Sequence, residues 1–392
     1  MILNSGYPPD IRIEKEVETL LPAHRVFLLC TKRSGEAGTD TIEGLRVTRV
    51  FSAIERRAAS YQLVTTCHSK GWKKEIDHFI QDNRLDVLHV HDLPLAGTAL
   101  GAARSYRIPI VLDLHEDYPA MLSEIQRLPR SRIPSVGVLG LRLASIPKWR
   151  EYEQRIARKM DAVIAVVEEA ATRIRALGVE AKKVHLVQNY GPLRHISMRD
   201  ATDAQTVTAV YIGGFDQARD LRTVIDAARL LRDRNCDHLR ILLVGGSRRE
   251  IGVLEKYASK TSLSVGMVSF REWMDRQDAE KFVDDAQIGL VPHVKSAHTD
   301  STIPHKLFQY MARGLPVIAS NCAPLERIVG GSGCGLVYES GNAGSLAMCV
   351  EELYRDPNKR ERMGNAGSRA VQMTYNWSTA AVNLLDLYDQ LK

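Results

Sequence analysis

Short apolar, β-branched runs alternate with amphipathic stretches along the whole chain, and this alternation constrains the fold more than any single motif. Strand candidates in the first half are 25–30 ("RVFLLC"), 46–50, 87–91, 109–114 ("PIVLDL"), 162–166 and 184–189. Helix-period patterns fall between them at 11–21, 70–82, 95–105, 150–159 and 168–177. Nearly continuous apolar strands separated by helices specify a parallel sheet covered on both faces. The series starts again at 208–213 ("TAVYIG") and continues through 240–245, 266–270, 288–292, 316–320 and 335–338. Its helices are expected at 220–233, 277–284, 304–313 and 342–355. A length of 392 residues also exceeds one ordinary core. The polar, aperiodic "NYGPLRHISMRDATDAQ" (189–205) reads as a linker. The expected fold is therefore α/β: two Rossmann-like, doubly wound domains, 1–195 and 200–375, facing each other across a cleft. The amphipathic stretch 376–392 would pack back on the first domain. In such sheets ligands sit beyond the carboxyl ends of the strands, so function is sought in the residues just after each strand.

Composition narrows the functional classes. No apolar run is long enough to cross a bilayer. "MILNSGYPPD" lacks the basic and apolar regions of a signal peptide. The six cysteines are scattered with no C-x-x-C pair, which suits reduced thiols in the cytoplasm. A net charge of +6 permits anionic partners. Aromatic residues make up only 6% and do not interleave with basic ones, which argues against nucleic acid.

One strand-end candidate is "DSTIPHKLFQYMARGLPVIAS" (300–320). Pro304 stands where a first helical turn would begin, with Ser301 and Thr302 as candidate caps. Backbone N–H groups around Ile303, Pro304, His305 and Lys306, with the Lys306 charge, would suit a phosphate. Alone, the stretch reads first as an ordinary capped helix with a solvated lysine, because such helix starts are common. "YIGGFDQARDL" (211–221) adds Gly213 and Gly214, which let backbone approach a ligand, and Arg219, whose fork matches phosphate oxygens. "LLVGGSRRE" (242–250) repeats the double glycine, and neither pair makes G-x-G-x-x-G. Together these turns favour a nucleotide diphosphate over a nicotinamide cofactor.

Over nearly its whole length the chain resembles a GT-B glycosyltransferase of the retaining family-4, group 1 type. The resemblance is carried by "SGYPPDIRIEKEVETL" (5–20), "HVHD" (89–92), "VLDLHEDYP" (111–119) and "DAVIAVVEEAATRI" (161–174), then by "YIGGFDQARDL", "VSFREWM" (268–274) and "PHKLFQYMARGLPVIAS". It implies a nucleotide-sugar donor bound by the C-terminal domain, a UDP-sugar in preference to a GDP-sugar, and an acceptor bound by the N-terminal domain. It also implies retention of configuration and no cofactor or metal, with Arg219, Lys306 and the helix start neutralising the leaving diphosphate. The family's usual carboxylates are replaced by Ser301 and Gln309, and its usual arginine after the glycine by Gly214. Gln309 offers one acceptor oxygen and one NH2 to a ribose diol where a carboxylate would offer two acceptors.

By the same resemblance His115 is a catalytic candidate that contacts the donor sugar, since a histidine there can donate or carry charge. The alternative is a histidine bonded at a strand end for structural reasons. Glu116 beside it lies on the acceptor side. His91 and Asp92, after the preceding strand, serve either that end of the cleft or the structure. Glu326 either caps its helix or contacts the donor. Trp273 and Met274 either flank the nucleobase or pack. Tyr7 to Arg12 would lie near the acceptor, Gly6 allowing an unusual turn, or Tyr7 packs into the domain edge. The segment 125–150 carries Arg127, Arg130, Arg132, Arg142, Lys148 and Arg150 without an acid, interspersed with apolar residues including Trp149. It reads either as a solvated cover or, in keeping with a lipid-linked acceptor, as a peripheral contact with an anionic inner membrane face; Pro129, Pro134 and Pro147 would break any long helix in it. The expected activity is sugar transfer to a glycan or glycolipid hydroxyl in surface polysaccharide biosynthesis. An epimerase-like relative and a non-catalytic nucleotide-sugar-binding subunit are the alternatives.

Overall fold

The computed structural model describes residues 1–51, 53–127, 141–191, 206–216, 218–260 and 266–391. The chain divides into two compact units, one of 1–189 with 380–392 and one of 190–379. The expected linker residues 192–205 lie outside the described residues.

In the second unit six strands lie parallel: β8 (Val207–Ile212), β9 (Leu239–Gly246), β10 (Val268–Glu272), β11 (Ile288–Val291), β12 (Val317–Ser320) and β13 (Gly335–Tyr338). Their order is β10-β9-β8-β11-β12-β13, the doubly wound order that reverses direction between its first and fourth strands. β11 and β12 are buried at every position, as strands covered on both faces must be. The helix Leu221–Asp233 turns Leu221, Val224, Ile225, Ala228 and Leu231 inward, spaced three or four apart, onto the core beneath β8 and β9.

The first unit repeats the plan with a strand that sequence periodicity does not reveal. Residues 1–3 pair with both neighbours, Ile2 bridging to Leu29 and to Val90. They join β2 (Thr39–Ile42), β3 (Leu45–Val50) and β1 (Phe27–Thr31) to β4 (Leu88–His91), β5 (Ile110–Leu114), β6 (Ala162–Ala165) and β7 (Val184–Leu186). All pairings are parallel except β2 with β3. The order again reverses at the first strand, so Asn4–Asp10, Asp92 and His115 follow strands at or beside the crevice.

The described part of the basic segment differs from expectation. Trp149 is fully buried, donates from Nε1 to Val64 O at 3.2 Å, and packs edge-on against Tyr118 and Tyr152. Pro147 stands in the first turn of Ile146–Ala157, where its missing N–H costs nothing, and no helix runs through it from the preceding residues. Arg130, Arg132, Pro129 and Pro134 lie outside the described residues. Among the described residues no helix is long and apolar enough to cross a membrane.

Candidate functional site

In the second unit the loop after β8 and the residues after β11 meet where the strand order reverses. Asp220 N donates to Pro292 O at 2.6 Å and Val294 N to Ala218 O at 2.9 Å, pinning the two strand ends together. This carries Arg219 to His293, whose ring nitrogens lie 2.9 and 3.2 Å from the guanidinium. Burial, then the charges of Arg219 and Lys306, hold His293 well below its ordinary value, so it is a neutral acceptor for Arg219. Asp216 lies 3.4 Å from Arg219 Nε.

Gly213 leaves β8 at φ +145°, a conformation that L side chains rarely adopt. A Cβ there would stand 2.6 Å from Lys306 Nζ and 3.0 Å from Tyr211 Oη. A Cβ on Gly214 would meet only Asp216 Oδ2 at 3.6 Å. Lys306 Nζ sits over the Tyr211 ring at 3.9 Å and has no ion pair within 4 Å among the described residues. Burial and Arg219 push its amine well below the ordinary lysine value, with Asp216 opposing. The Arg219 guanidinium and the Lys306 amine thus converge beside one exposed carboxylate, a fixed charge and a protonatable amine for an anion to meet.

The helix His305–Ala312 begins one residue later than expected and has no side-chain cap. Ser301 does not serve it: its hydroxyl donates back to Ala297 O and His298 O, inside the turn Thr299–Ser301. Thr302 is half-buried, and Pro304 holds the cap position without a donor or acceptor side chain. No side chain caps the helix start, where Leu307 N donates to Pro304 O at 3.2 Å. Ile303 is buried, while His305 and Gln309 are half-buried. Glu326 is exposed in the first turn of Ala323–Ser332 and does not cap it. Asp300 does, its Oδ1 accepting from Ala323 N at 2.7 Å. Trp273 stands 74% exposed after β10, which excludes packing as its role in this unit, and Met274 is half-buried beside it.

In the first unit the expected residues separate into surface and interior. Arg12 was expected near an acceptor, but it is 4% exposed and points into the unit. Its Nε lies 2.6 Å from Glu16 Oε1, a terminal nitrogen 3.1 Å from Asp113 Oδ2, and another donates to Val187 O at 2.9 Å. Tyr7 is also buried, and burial pushes its hydroxyl up to about 12. Gly6 makes no left-handed turn; it leaves room for Arg33, which donates to Gly6 O at 2.7 Å and to Pro8 O. His91 is fully buried, stacked on His89 at 4.5 Å between ring centres. Burial and His89 hold His91 down at about 3. His89 Nδ1 lies 2.8 Å from the Tyr388 hydroxyl.

His115 reaches the surface of this cluster. Its Nε2 is 3.1 Å from Asp113 Oδ2 and its Nδ1 3.6 Å from Asp92 Oδ1. Burial pulls its ring toward neutrality, but Asp92 and Asp113 together carry it up to about 10. Asp92 has φ +64° and ψ 160°, a region nearly reserved for glycine, and its N–H donates to Asp113 O at 2.8 Å. Burial and the Asp92 charge push Glu116, half-buried beside them, up to about 8. Donor atoms of Glu16, His89, His91 and Asp113 lie within 4.8 Å of one another, a spacing that suits a cation. The Arg12 guanidinium, inserted between the two carboxylates, already fills that role.

His293, Glu16, His89 and Asp113 were not singled out from sequence. Asp113 carried a readable signal: a lone carboxylate inside the apolar run "PIVLDL" must find a partner when its strand is buried. His293 lies in the second position after β11, where the strand-end rule would have placed it.

Two family models match the chain: Glycosyltransferase Family 4 over residues 17–190 and Glycosyl transferases group 1 over 206–356. A phosphatidyl-myo-inositol mannosyltransferase of Mycobacterium leprae is 23% identical over 84% of this chain and 79% of its own. Spore coat protein SA of Bacillus subtilis is 29% identical over 97% of this chain and 94% of its own. An amylovoran biosynthesis glycosyltransferase of Erwinia amylovora is 22% identical over 56% of this chain and 54% of its own. Among solved structures, sucrose-phosphate synthase from Thermosynechococcus elongatus superposes with a TM-score of 0.78 at 18% identity, covering 97% of this chain and 92% of that one. Anabaena HepE in complex with UDP-glucose superposes with a TM-score of 0.72 at 13% identity, covering 99% and 98%.

Proposed function

This chain belongs to the family-4, group 1 glycosyltransferases of GT-B fold, and we propose that it transfers a sugar from a nucleotide-diphosphate sugar to a hydroxyl of a glycan or glycolipid acceptor, with retention of configuration. The observation that carries the donor half is the convergence of Arg219, Lys306 and an uncapped helix start at the switch point of the second unit. A departing diphosphate develops negative charge, and preorganised cations and N–H groups stabilise it where that charge appears. Arg219 is held for this task by His293, and Lys306 by the Tyr211 ring. In this reading the side chains and the helix start supply all of the neutralising charge, with no metal ion or cofactor. The acceptor hydroxyl attacks from the face the diphosphate leaves, and the phosphate itself takes the hydroxyl proton. Trp273 offers an exposed aromatic face for the base, and Gln309 an amide for the ribose. The solved relatives with UDP and UDP-glucose favour a uridine donor.

On the acceptor side the reading places His115, Asp92 and Glu116 at the sugar. The mannosyltransferase of M. leprae and the amylovoran enzyme support surface glycolipid or polysaccharide synthesis, and the former supports a lipid acceptor. Peripheral binding to an anionic inner membrane face goes with that acceptor. Failure to bind anionic liposomes at low salt would remove it. A non-catalytic sugar-nucleotide-binding role is the second reading, favoured by Ser301 being turned away into its own turn.

The deciding experiment is transfer from a panel of nucleotide sugars with Arg219→Ala and Lys306→Ala. Each change is expected to cut the rate about 100- to 1,000-fold while leaving the fold intact. Wild-type rates in both variants refute the donor site. Nucleotide binding without hydrolysis or transfer across many acceptors favours the second reading.

A further inference from the structure

The interior of the first unit poses a problem of charge. Glu16 and Asp113 are two fully buried carboxylates, and Arg12 is the one guanidinium between them. Two further buried basic groups face these carboxylates, the Lys15 amine and the Met1 amino group, but burial lowers them to about 7 and about 5, so a negative charge still requires an answer. His89 and His91 do not provide it, because burial holds both imidazoles toward the neutral form. Tyr388 adds no charge of its own, because burial holds its hydroxyl protonated.

His115 has the required geometry. Its Nε2 lies 3.1 Å from the Asp113 oxygen that Arg12 also holds. A second carboxylate, Asp92, lies 3.6 Å from its Nδ1 and accepts from the His115 backbone N–H at 3.4 Å. The strained Asp92 backbone is fixed by its own bond to Asp113 O, so both carboxylates are positioned against the ring by the same strand end. The charged and titratable groups facing His115 are Arg12 and Glu16 from the helix Ile11–Leu20, His91 and Asp92 from the end of β4, and Asp113 and Glu116 from β5 and its end. Carboxylates dominate that set. Glu16, pushed up to about 8 by burial, is the competing place for the balancing proton.

We propose that Asp92 and Asp113, the latter pinned by Arg12, together hold His115 as a permanent imidazolium, so that it presents a fixed positive charge and an Nδ1–H donor to the site and does not act as an acid or base. Asp113 is then the positioning residue of His115, and Arg12 that of Asp113. The Nδ1–H and the Asp92 carboxylate beside it form a donor and acceptor that one substrate hydroxyl can bridge. The role in the reaction rests on the placement of His115 at the sugar under the proposed function; its charge state does not.

The test is a pH titration of the full chain, labelled with 15N-histidine and followed by NMR, with the His115 signal assigned through His115→Gln. Both ring nitrogens of His115 are expected to be protonated at pH 8, where an ordinary histidine, with a pKa of about 6.5, is neutral. Asp113→Asn is expected to lower the midpoint by about 1 to 3 pH units, and transfer is expected to fall as pH rises through the new midpoint. Should Asp113→Asn unfold, Asp92→Asn removes the partly exposed carboxylate and is expected to lower the midpoint in the same direction. A neutral His115 at pH 8 in the unmodified chain, or an unmoved midpoint in the folded variants, overturns the inference and leaves the glycosyltransferase reading standing. An imidazolium with full transfer in His115→Gln upholds the charge state and overturns the placement at the sugar.

Discussion

Gly213→Ala separates the donor site from the fold that carries it. The added Cβ would stand 2.6 Å from Lys306 Nζ, and ordinary contact begins near 3.5 Å, so the amine must retreat by about 1 Å. A lysine end moves cheaply, so this steric conflict costs little stability. The cost falls on position: the amine leaves its seat 3.9 Å above the Tyr211 ring. Tyr211 Oη, 3.0 Å from the same Cβ, yields less readily because it donates to Gly214 O at 2.6 Å. Stability is expected to fall by about 1–3 kcal/mol, from alanine forced to φ +145°. An error of about 1 Å in a charge-stabilising group is worth about 100-fold in rate. Gly214→Ala is the internal control, because its Cβ makes only an ordinary contact at 3.6 Å with Asp216 and its φ is not positive. Thermal unfolding reads the first effect; calorimetric titration with nucleoside diphosphates and initial transfer rates read the second. Equal behaviour of the two alanine variants would refute the assignment of Lys306 and the Gly213 turn to the diphosphate.

Three further outcomes follow from the same crevice. Lys306, held well below its ordinary value in the free protein, is expected to take up a proton when a diphosphate arrives and raises its pKa. Affinity is then constant below the free value and falls as pH rises toward the bound one, and calorimetry in buffers of different ionisation enthalpy measures the proton. His293→Leu removes the acceptor that holds Arg219 and is expected to weaken nucleoside diphosphate binding about 10-fold without unfolding the unit, as titration would show. Gln309→Glu is expected to retain the fold and to shift nucleotide affinity about 10-fold, toward tighter binding if ribose hydroxyls are its partners. Unchanged affinity would mean that the ribose is held elsewhere.

What could be read in the sequence followed burial. The twelve strands expected from apolar runs are all present within a few residues, and those covered on both faces, such as β11 and β12, have no polar alternation to hide them. β2 escaped because "TDTI" is mostly exposed and polar, an edge reached through a turn at Glu43 and Gly44 with positive φ at both. The helix Pro357–Met373 escaped for the opposite reason. Its inward face includes Gly364 and Gly367, chosen for close approach to Gly314 O and Met311, so it shows no apolar stripe. At the site, loop glycines and terminal cations were legible as types, but their partners were not. Arg12 looked like a surface cation because sequence cannot show that Asp113, about a hundred residues away, waits for it.

The helix Trp377–Gln390 leaves one unit for the other, and from Ala380 onward its residues group with 1–189. It brings Tyr388 to His89 and Asn383 to Leu186 O. The first unit is thus built from the two extremes of the sequence, with all of the second unit inserted between them. During synthesis the later unit can close while the earlier one still lacks a piece. Anyone exchanging halves between relatives to change donor or acceptor would need to move 380–392 together with 1–189. A cut at residue 190 alone would graft a foreign tyrosine position onto a native histidine cluster.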